Sequence, residues 1–247
     1  MGAPGPLSAG TVHVWFLEDL DPPDPRWLEL LDEEERGRAL RLRSREQREA
    51  FTAAHALVRT ALSAYGDCAP AEWRFAISPQ GQPSVLGAPE LSFSLTHSGA
   101  RAAVAIGSGQ VLGLDLEPVR QERDPLPLAR SFFAAAETER LRGLSPGERA
   151  AAFAALWTVK EAVLQARGSG LAESLRSVEV ELEPSCRPIR VQSPGGPWAV
   201  KSWSPDPGWY AALAVATDRP LDVATFRARP LGPPVPAPEK GPEPAVA

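Results

Sequence analysis

The chain has 247 residues, 43% of them hydrophobic, with two cysteines and a formal charge of −5. That length suits one large domain or two small ones, and the apolar content supports a core without a disulfide framework. The negative charge argues against a general nucleic-acid binder, and no apolar run is long enough to cross a membrane.

The opening "MGAPGPLSAG" has neither a charged n-region nor an apolar h-region, so no secretory signal is expected, and Pro6 does not fit a myristoylation signal. The expectation is a cytoplasmic protein whose residues 1–10 are flexible. "VHVWFLE" (12–18) predicts a strand. "LDEEERGRALRL" predicts a helix, its acidic start suited to the helix dipole. Ser44 with Gln47 has capping-box spacing, predicting a helix from Arg45 to about Tyr65 that Gly66 closes.

A β-rich stretch follows. "AEWRFAIS" and "QPSVL" are short strand candidates. "LSFSLTH" (91–97), "AAVAIG" (102–107) and "VLGLDLE" (111–117) then read as a three-stranded antiparallel meander. In such a meander the first and third strands run the same way, which would place His97 near Asp115 and Glu117. Those two carboxylates share one face, roughly 7 Å apart along the strand.

The second half opens with helices in "LPLARSFFAAAETERLRGL". Ser145-Pro146-Gly147-Glu148 then starts a helix expected to run to about Arg167 and stop at Gly168. Four strand candidates follow: "SVEVELE", "PIRVQ", "WAVKSW" and "GWYAALAVA". Gly208, Ala211, Ala212 and Ala214 repeat the spacing of Gly99, Ala102, Ala103 and Ala105, a weak internal repeat. The tail "RPLGPPVPAPEKGPEPAVA" (229–247) is Pro-rich and expected to be disordered. The fold class expected is α/β (α+β), with an N-terminal subdomain at 11–112 and a C-terminal one at 113–228, each an antiparallel meander packed with helices.

On a helical wheel, Phe153, Leu156, Trp157, Val163 and Leu164 form an apolar face, with Lys160 near its middle and Glu161 at its margin. Neighbouring helix positions do not face each other, so a charge on that face needs a partner from elsewhere in the fold. Asp115, Glu117 and Glu161 together offer only hard oxygen donors, which suit Mg²⁺ and bridged phosphates. Lys160 and His97 would then suit phosphate oxygens. Singly, each feature is commoner as a solvated strand end, a turn residue or a snorkelling lysine.

"FSLTHSG" (93–99), "GLDLE" (113–117) and "WTVKEA" (157–162), in this order, resemble the motifs of the Sfp-type 4′-phosphopantetheinyl transferases. "FTAAHALVR" (51–59) is similar to the helix before the first motif. The resemblance spans roughly residues 10–225. It implies a pseudo-dimer of two similar halves. It also implies transfer of phosphopantetheine from coenzyme A to a serine of an apo acyl or peptidyl carrier protein. By motif position, Asp115, Glu117 and Glu161 are implied ligands of Mg²⁺, with Mn²⁺ as an alternative ion, and Glu161 is the implied general base. Lys160 would neutralise the transferring phosphate; Thr96 and His97 would meet the 3′-phosphate side of coenzyme A. Gln82, Gln165 and Ala50 replace basic residues usual in the family, with Arg41, Arg48 and Arg167 as candidate compensators. A monomer is implied, and the Arg run 36–48 is a candidate face for an acidic carrier. A non-catalytic carrier binder and a Mg²⁺ enzyme using another pyrophosphate donor are the alternatives.

Overall fold

The computed structural model describes residues 4–8, 10–18, 23–78, 82–169, 173–183 and 187–237. Gly81, Cys186, and the expectations for residues 1–3, 9 and 238–247, lie outside them. The other cysteine, Cys68, is free and exposed. Among the described residues, no helix is long and apolar enough to cross a membrane.

The chain divides into two compact units. The first holds the described residues up to Gln110 and from Asp222 onward, and the second holds Val111–Leu221. In the first unit, β1 (Thr11–Leu17) is followed by α1 (Trp27–Leu30), α2 (Glu33–Arg41) and α3 (Arg45–Leu62). A two-stranded ribbon, β2 (Phe75–Ile77) and β3 (Pro83–Val85), precedes β4 (Leu91–Ser98) and β5 (Arg101–Ser108). In the second unit, β6 (Leu112–Pro118) leads to α4 (Leu126–Phe132), α5 (Ala135–Arg142) and α6 (Pro146–Arg167). β7 (Glu179–Leu182) and β8 (Pro188–Gln192) make a ribbon, and β9 (Trp198–Trp203) and β10 (Trp209–Ala216) form a hairpin. β11 (Asp222–Ala228) and β12 (Val235–Pro236) return to the first unit.

Both long helices begin and end for local reasons. Ser44 Oγ accepts the Gln47 N–H at 3.1 Å, and Gln47 Oε1 accepts the Ser44 N–H at 3.4 Å, closing the expected box on α3. α3 stops at Leu62, three residues short of expectation. Pro146 starts α6, and Gly168 ends it in the left-handed region at φ +70°, where a side chain would be strained.

The expected three-stranded meander does not form. β4 pairs with β5, and β5 with β1, in a sheet ordered β12-β11-β1-β5-β4. β6 joins a separate sheet, β6-β10-β9. Local alternation marks β6 as a strand but carries no information about its partner; the register with Ala211–Val215 decides that. The boundary expected at 112/113 falls after Gln110, and residues 222–228, placed in the expected C-terminal subdomain without a strand of their own, form β11 parallel to β1.

The described residues near both ends of the chain make contacts with the first unit. Leu7 packs on the first core, and the Ser8 carbonyl accepts the Thr11 N–H at 3.0 Å. In the tail, Pro230 supplies a carbonyl to Trp27 Nε1 at 3.1 Å, and β12 pairs with the edge of β11. Proline lacks a donor but keeps its acceptor, so an edge position tolerates it.

Each unit, taken by itself, runs strand, helices, two-stranded ribbon, hairpin. Three of its strands make an antiparallel set: β1-β5-β4 in the first, β6-β10-β9 in the second. Gly99 and Gly208, the glycines of the weak repeat, sit just before the middle strands with φ of +60° and +74°. α3 packs its Ala53, Ala54, Leu57, Val58 and Ala61 into the first core. α6 packs its Leu156, Val159, Ala162, Val163 and Leu164 into the second.

Candidate active site

The strand and helix that carry "GLDLE" and "WTVKEA" meet in the second unit. Gly113, Asp115 and Glu117 leave β6 on one face, beside Ala214, Ala212 and Tyr210 of β10. Leu112, Leu114 and Leu116 leave on the other and are buried. α6 lies directly on the first face. A Cβ on Gly113 would stand 2.1 Å from the Ala162 carbonyl oxygen and 2.5 Å from the Ala166 nitrogen. Glycine is therefore what lets the helix backbone reach the strand.

That contact brings Glu161, next to Ala162, toward Glu117 of the strand. Burial pushes Glu161 above the usual carboxylate range, and the Glu117 charge pushes it the same way. Asp115 is buried at 6% exposure. As placed, no three His, Cys, Asp or Glu side chains among the described residues are grouped tightly enough to hold a metal ion. The donors nevertheless fit Mg²⁺ in kind. That ion takes one or two carboxylates and fills the rest of its octahedron with water and substrate phosphates, so a closed three-carboxylate cage is not required. The mutual repulsion of Glu117 and Glu161 is what a cation relieves.

Lys160 does not belong with them. Its side chain is fully buried, and its three N–H donors are occupied by Glu137 Oε2 at 2.9 Å, the Leu175 carbonyl at 3.2 Å and the Val178 carbonyl. Its ammonium also stands 5.2 Å from the Phe133 ring centroid. An ammonium has three donors, so none remains for a phosphate, and the expected phosphate-neutralising role is corrected on that ground. Burial lowers its pKa, and Glu137 acts in the opposite sense. Glu137 is the residue that sequence reading missed. The signal was there in part: Lys160 needed a partner from elsewhere, and Glu137 sits at the third position of α5, where a glutamate reaches back to its own helix start.

The remaining expected residues belong to the first unit. The shared-edge argument for His97 therefore does not hold, because β4 and β6 are in different sheets. His97 is exposed and leaves β4 on the side of Phe93 and Leu95, which pack on the core that includes α3. Thr96 is buried and leaves on the opposite face, so the two side chains do not approach one group side by side.

On α3, burial and the charges of Arg38, Arg59 and His97 push His55 down to about 3. Its Nε2 is buried without a hydrogen-bond partner. Arg38 stands 5.4 Å from the Phe51 ring, whose centroid is 3.9 Å from that of His55. Arg41 is exposed at the end of α2. Arg48 is partly committed, donating to the Leu42 carbonyl at 3.0 Å where α2 ends. Ala50 and Gln165 are half-buried on α3 and α6, and Gln82 lies just before β3. Arg167 pairs with Glu173 at 2.7 Å and donates to Ser177 and Ser193, so it is not a spare cation. Arg59, also missed, is fully buried between Asp32 and Glu35 at 3.1 and 2.7 Å. It holds α2 on α3.

Comparison with known proteins places this geometry in context. Residues 111–217 match the model of the 4′-phosphopantetheinyl transferase superfamily. The chain is 34% identical over 217 residues to the 4′-phosphopantetheinyl transferase HetI of Nostoc sp., covering 85% of this chain and 90% of that protein. It is 27% identical over 200 residues to the 4′-phosphopantetheinyl transferase Sfp of Bacillus subtilis, covering 80% and 88% respectively. Among solved structures, a holo-(acyl-carrier-protein) synthase from Bacillus anthracis, crystallised with CoA (3′,5′-ADP), aligns at a TM-score of 0.35 and 22% identity. That alignment covers 43% of this chain and 95% of the synthase.

Proposed function

The chain belongs to the 4′-phosphopantetheinyl transferase family, and from that premise we propose which molecules it joins and which residues do the work. The donor is coenzyme A, and the acceptor is a serine hydroxyl on an apo acyl or peptidyl carrier protein. The serine oxygen forms the new bond to the phosphorus that bears pantetheine. The bond from that phosphorus to the pyrophosphate bridge breaks, and adenosine 3′,5′-bisphosphate leaves with the electron pair.

The observation that supports this reading is that α6, whose backbone abuts Gly113 of β6, carries Glu161 close enough to feel the charge of Glu117. Glu161 takes the serine proton, directly or through water. Its raised pKa makes it a stronger base than an ordinary carboxylate. Asp115, Glu117 and Glu161 are the residues that would hold Mg²⁺ or Mn²⁺. When bound, the cation offsets the charge of the pyrophosphate oxygens. His97 is the residue proposed for the 3′-phosphate side of coenzyme A. Positioning for in-line attack supplies much of the remaining rate.

The carrier meets a basic surface. Two candidates are the exposed arginines of α2 and a cavity of about 440 Å³ in the second unit lined by Arg130, Arg142 and Arg176. The enzyme is proposed to act as a cytoplasmic monomer.

Intact-protein mass spectrometry tests the reaction. The protein is mixed with coenzyme A and a panel of apo carriers, with and without Mg²⁺. A carrier that gains one phosphopantetheine only when Mg²⁺ is present supports the proposal. No gain on any carrier, with coenzyme A binding shown separately, turns the assignment to a non-catalytic binder.

A further inference from the structure

Glu137 lies outside every motif that carries the family resemblance, yet it is only 4% exposed and both its carboxylate oxygens are engaged. Oε2 accepts the Ala134 N–H at 2.8 Å and pairs with the Lys160 ammonium at 2.9 Å. Oε1 accepts the Val180 N–H at 2.9 Å. One side chain thus ties the start of α5 and the strand β7 to the middle of α6. Lys160 spends its other two donors on the Leu175 and Val178 carbonyls, which flank the short turn before β7. Glu161 is the next residue along α6.

The helix is held on two sides. On one, its backbone abuts Gly113 of β6. On another, Lys160 fixes its rotation about its own axis. Successive helical residues are about 100° apart, so the direction of Lys160 sets the direction of Glu161. Stability alone is a poor reason for a buried ion pair, because apolar packing of the same volume is often as good or better. What the pair supplies is direction. Each partner makes several hydrogen bonds of defined geometry, and only one rotational setting of α6 satisfies them all. A slippery apolar contact lacks that restraint.

We propose that Glu137, acting through Lys160, is a positioning residue that sets the rotation of α6 and thereby holds Glu161 against Asp115 and Glu117. The proposal rests on the reading of Glu161 as base and cation ligand. Neither Glu137 nor Lys160 touches the substrate.

The test uses the full chain carrying Glu137→Gln with Lys160→Met, which removes both charges together and leaves no lone buried ion. Four quantities are measured. They are thermal unfolding, Mn²⁺ binding by electron paramagnetic resonance without co-substrate, metal-free binding of adenosine 3′,5′-bisphosphate by calorimetry, and the single-turnover rate. The expected variant melts cooperatively and binds the nucleotide as the parent does. It loses about tenfold or more in both Mn²⁺ affinity and rate, the scale usual when a group supporting a ligand is removed.

A loss of nucleotide affinity with Mn²⁺ binding intact would overturn the proposal and return Lys160 to the phosphate. Unchanged Mn²⁺ affinity and rate would also overturn it, leaving the pair a structural tie only. If the double variant does not fold, Glu137→Asp keeps both charges and shortens the reach by one methylene. The same split between Mn²⁺ and nucleotide is expected there, and its absence overturns the proposal equally. A parent protein that neither binds Mn²⁺ nor turns over refutes the underlying reading of the site, an outcome separate from any variant's behaviour.

Discussion

In the proposed reaction, Glu161 carries the heaviest chemical demand of any single side chain. It sits on α6, whose backbone abuts Gly113 of β6, and burial and Glu117 both raise its pKa. Replacing it by glutamine keeps its size and removes its basicity. Glu161→Gln is expected to lower the single-turnover rate by about 10²–10⁴-fold, the usual share of a general base, with coenzyme A affinity changed far less. Rapid-quench mass spectrometry of the carrier reads that rate, and a near-parental value would remove Glu161 from the role of base. Asp115→Ala removes a buried carboxylate rather than a core side chain. It is expected to abolish Mg²⁺-dependent turnover while circular dichroism and the melting curve stay near those of the parent; retained turnover would end the metal assignment at this position. Lys160 shows how a residue type misleads when read alone. A lysine in a phosphate enzyme suggests a phosphate ligand, but three occupied donors leave nothing to offer one.

At the scale of elements, the site depends on how closely α6 approaches β6. Two glycines separate the effect of space from that of conformation. Gly113 would place a Cβ against the Ala162 and Ala166 backbone, which cannot yield without moving the helix. Gly99 has open space around it but a φ of +60°. Gly113→Ala is therefore expected to cost about 1–3 kcal/mol, as overpacked cores do, and to lose activity by displacing Glu161. Gly99→Ala is expected to cost about 1–2 kcal/mol, for left-handed strain alone, and to leave turnover by the folded protein near normal. Urea titration paired with single-turnover rates checks both. A Gly113→Ala protein with parental stability and rate would refute the close approach.

At the scale of the whole molecule, two histidines held neutral inside the first unit make stability depend on pH. Trp15 Nε1 donates to Tyr65 Oη at 3.0 Å, and the same hydroxyl is hydrogen-bonded to His13 Nδ1 at 2.7 Å. Burial lowers the His13 pKa, and burial with neighbouring cations lowers that of His55 to about 3. Both pKa values lie below the unfolded value of 6.5. The unfolded chain therefore binds more protons in that window. The stability these groups contribute is complete above pH about 6.5 and is lost as pH falls toward the folded values. Glu35 and Glu161, raised by burial, act in the opposite sense: their contribution is present at low pH and lost as pH rises through their folded values. The isolating measurement is a comparison of urea-unfolding free energies for parent and His55→Asn between pH 6.5 and 4. The parent is expected to lose stability more steeply as pH falls; parallel curves would show that His55 is not held neutral by the fold.

Several features were decided by the residues themselves. Capping signals at Ser44 and Ser145 and the stop at Gly168 are local chemistry, and the α6 bounds follow from them without reference to the rest of the chain. The carboxylates of "GLDLE" share a face because a strand alternates, whatever it pairs with. The order of three motifs was enough to indicate the family. Tertiary structure alone decided the partners. Alternation is identical for a strand beside β5 and one beside β10, so the sequence left β6 in the wrong sheet and β11 in the wrong unit. Composition marked the tail as unable to build a core, but it could still be received by one, through a proline carbonyl and an edge strand. The partner of Lys160 came from 23 positions earlier in the chain, at Glu137. A buried charge announces that it needs a counter-charge, and only packing determines which residue supplies it.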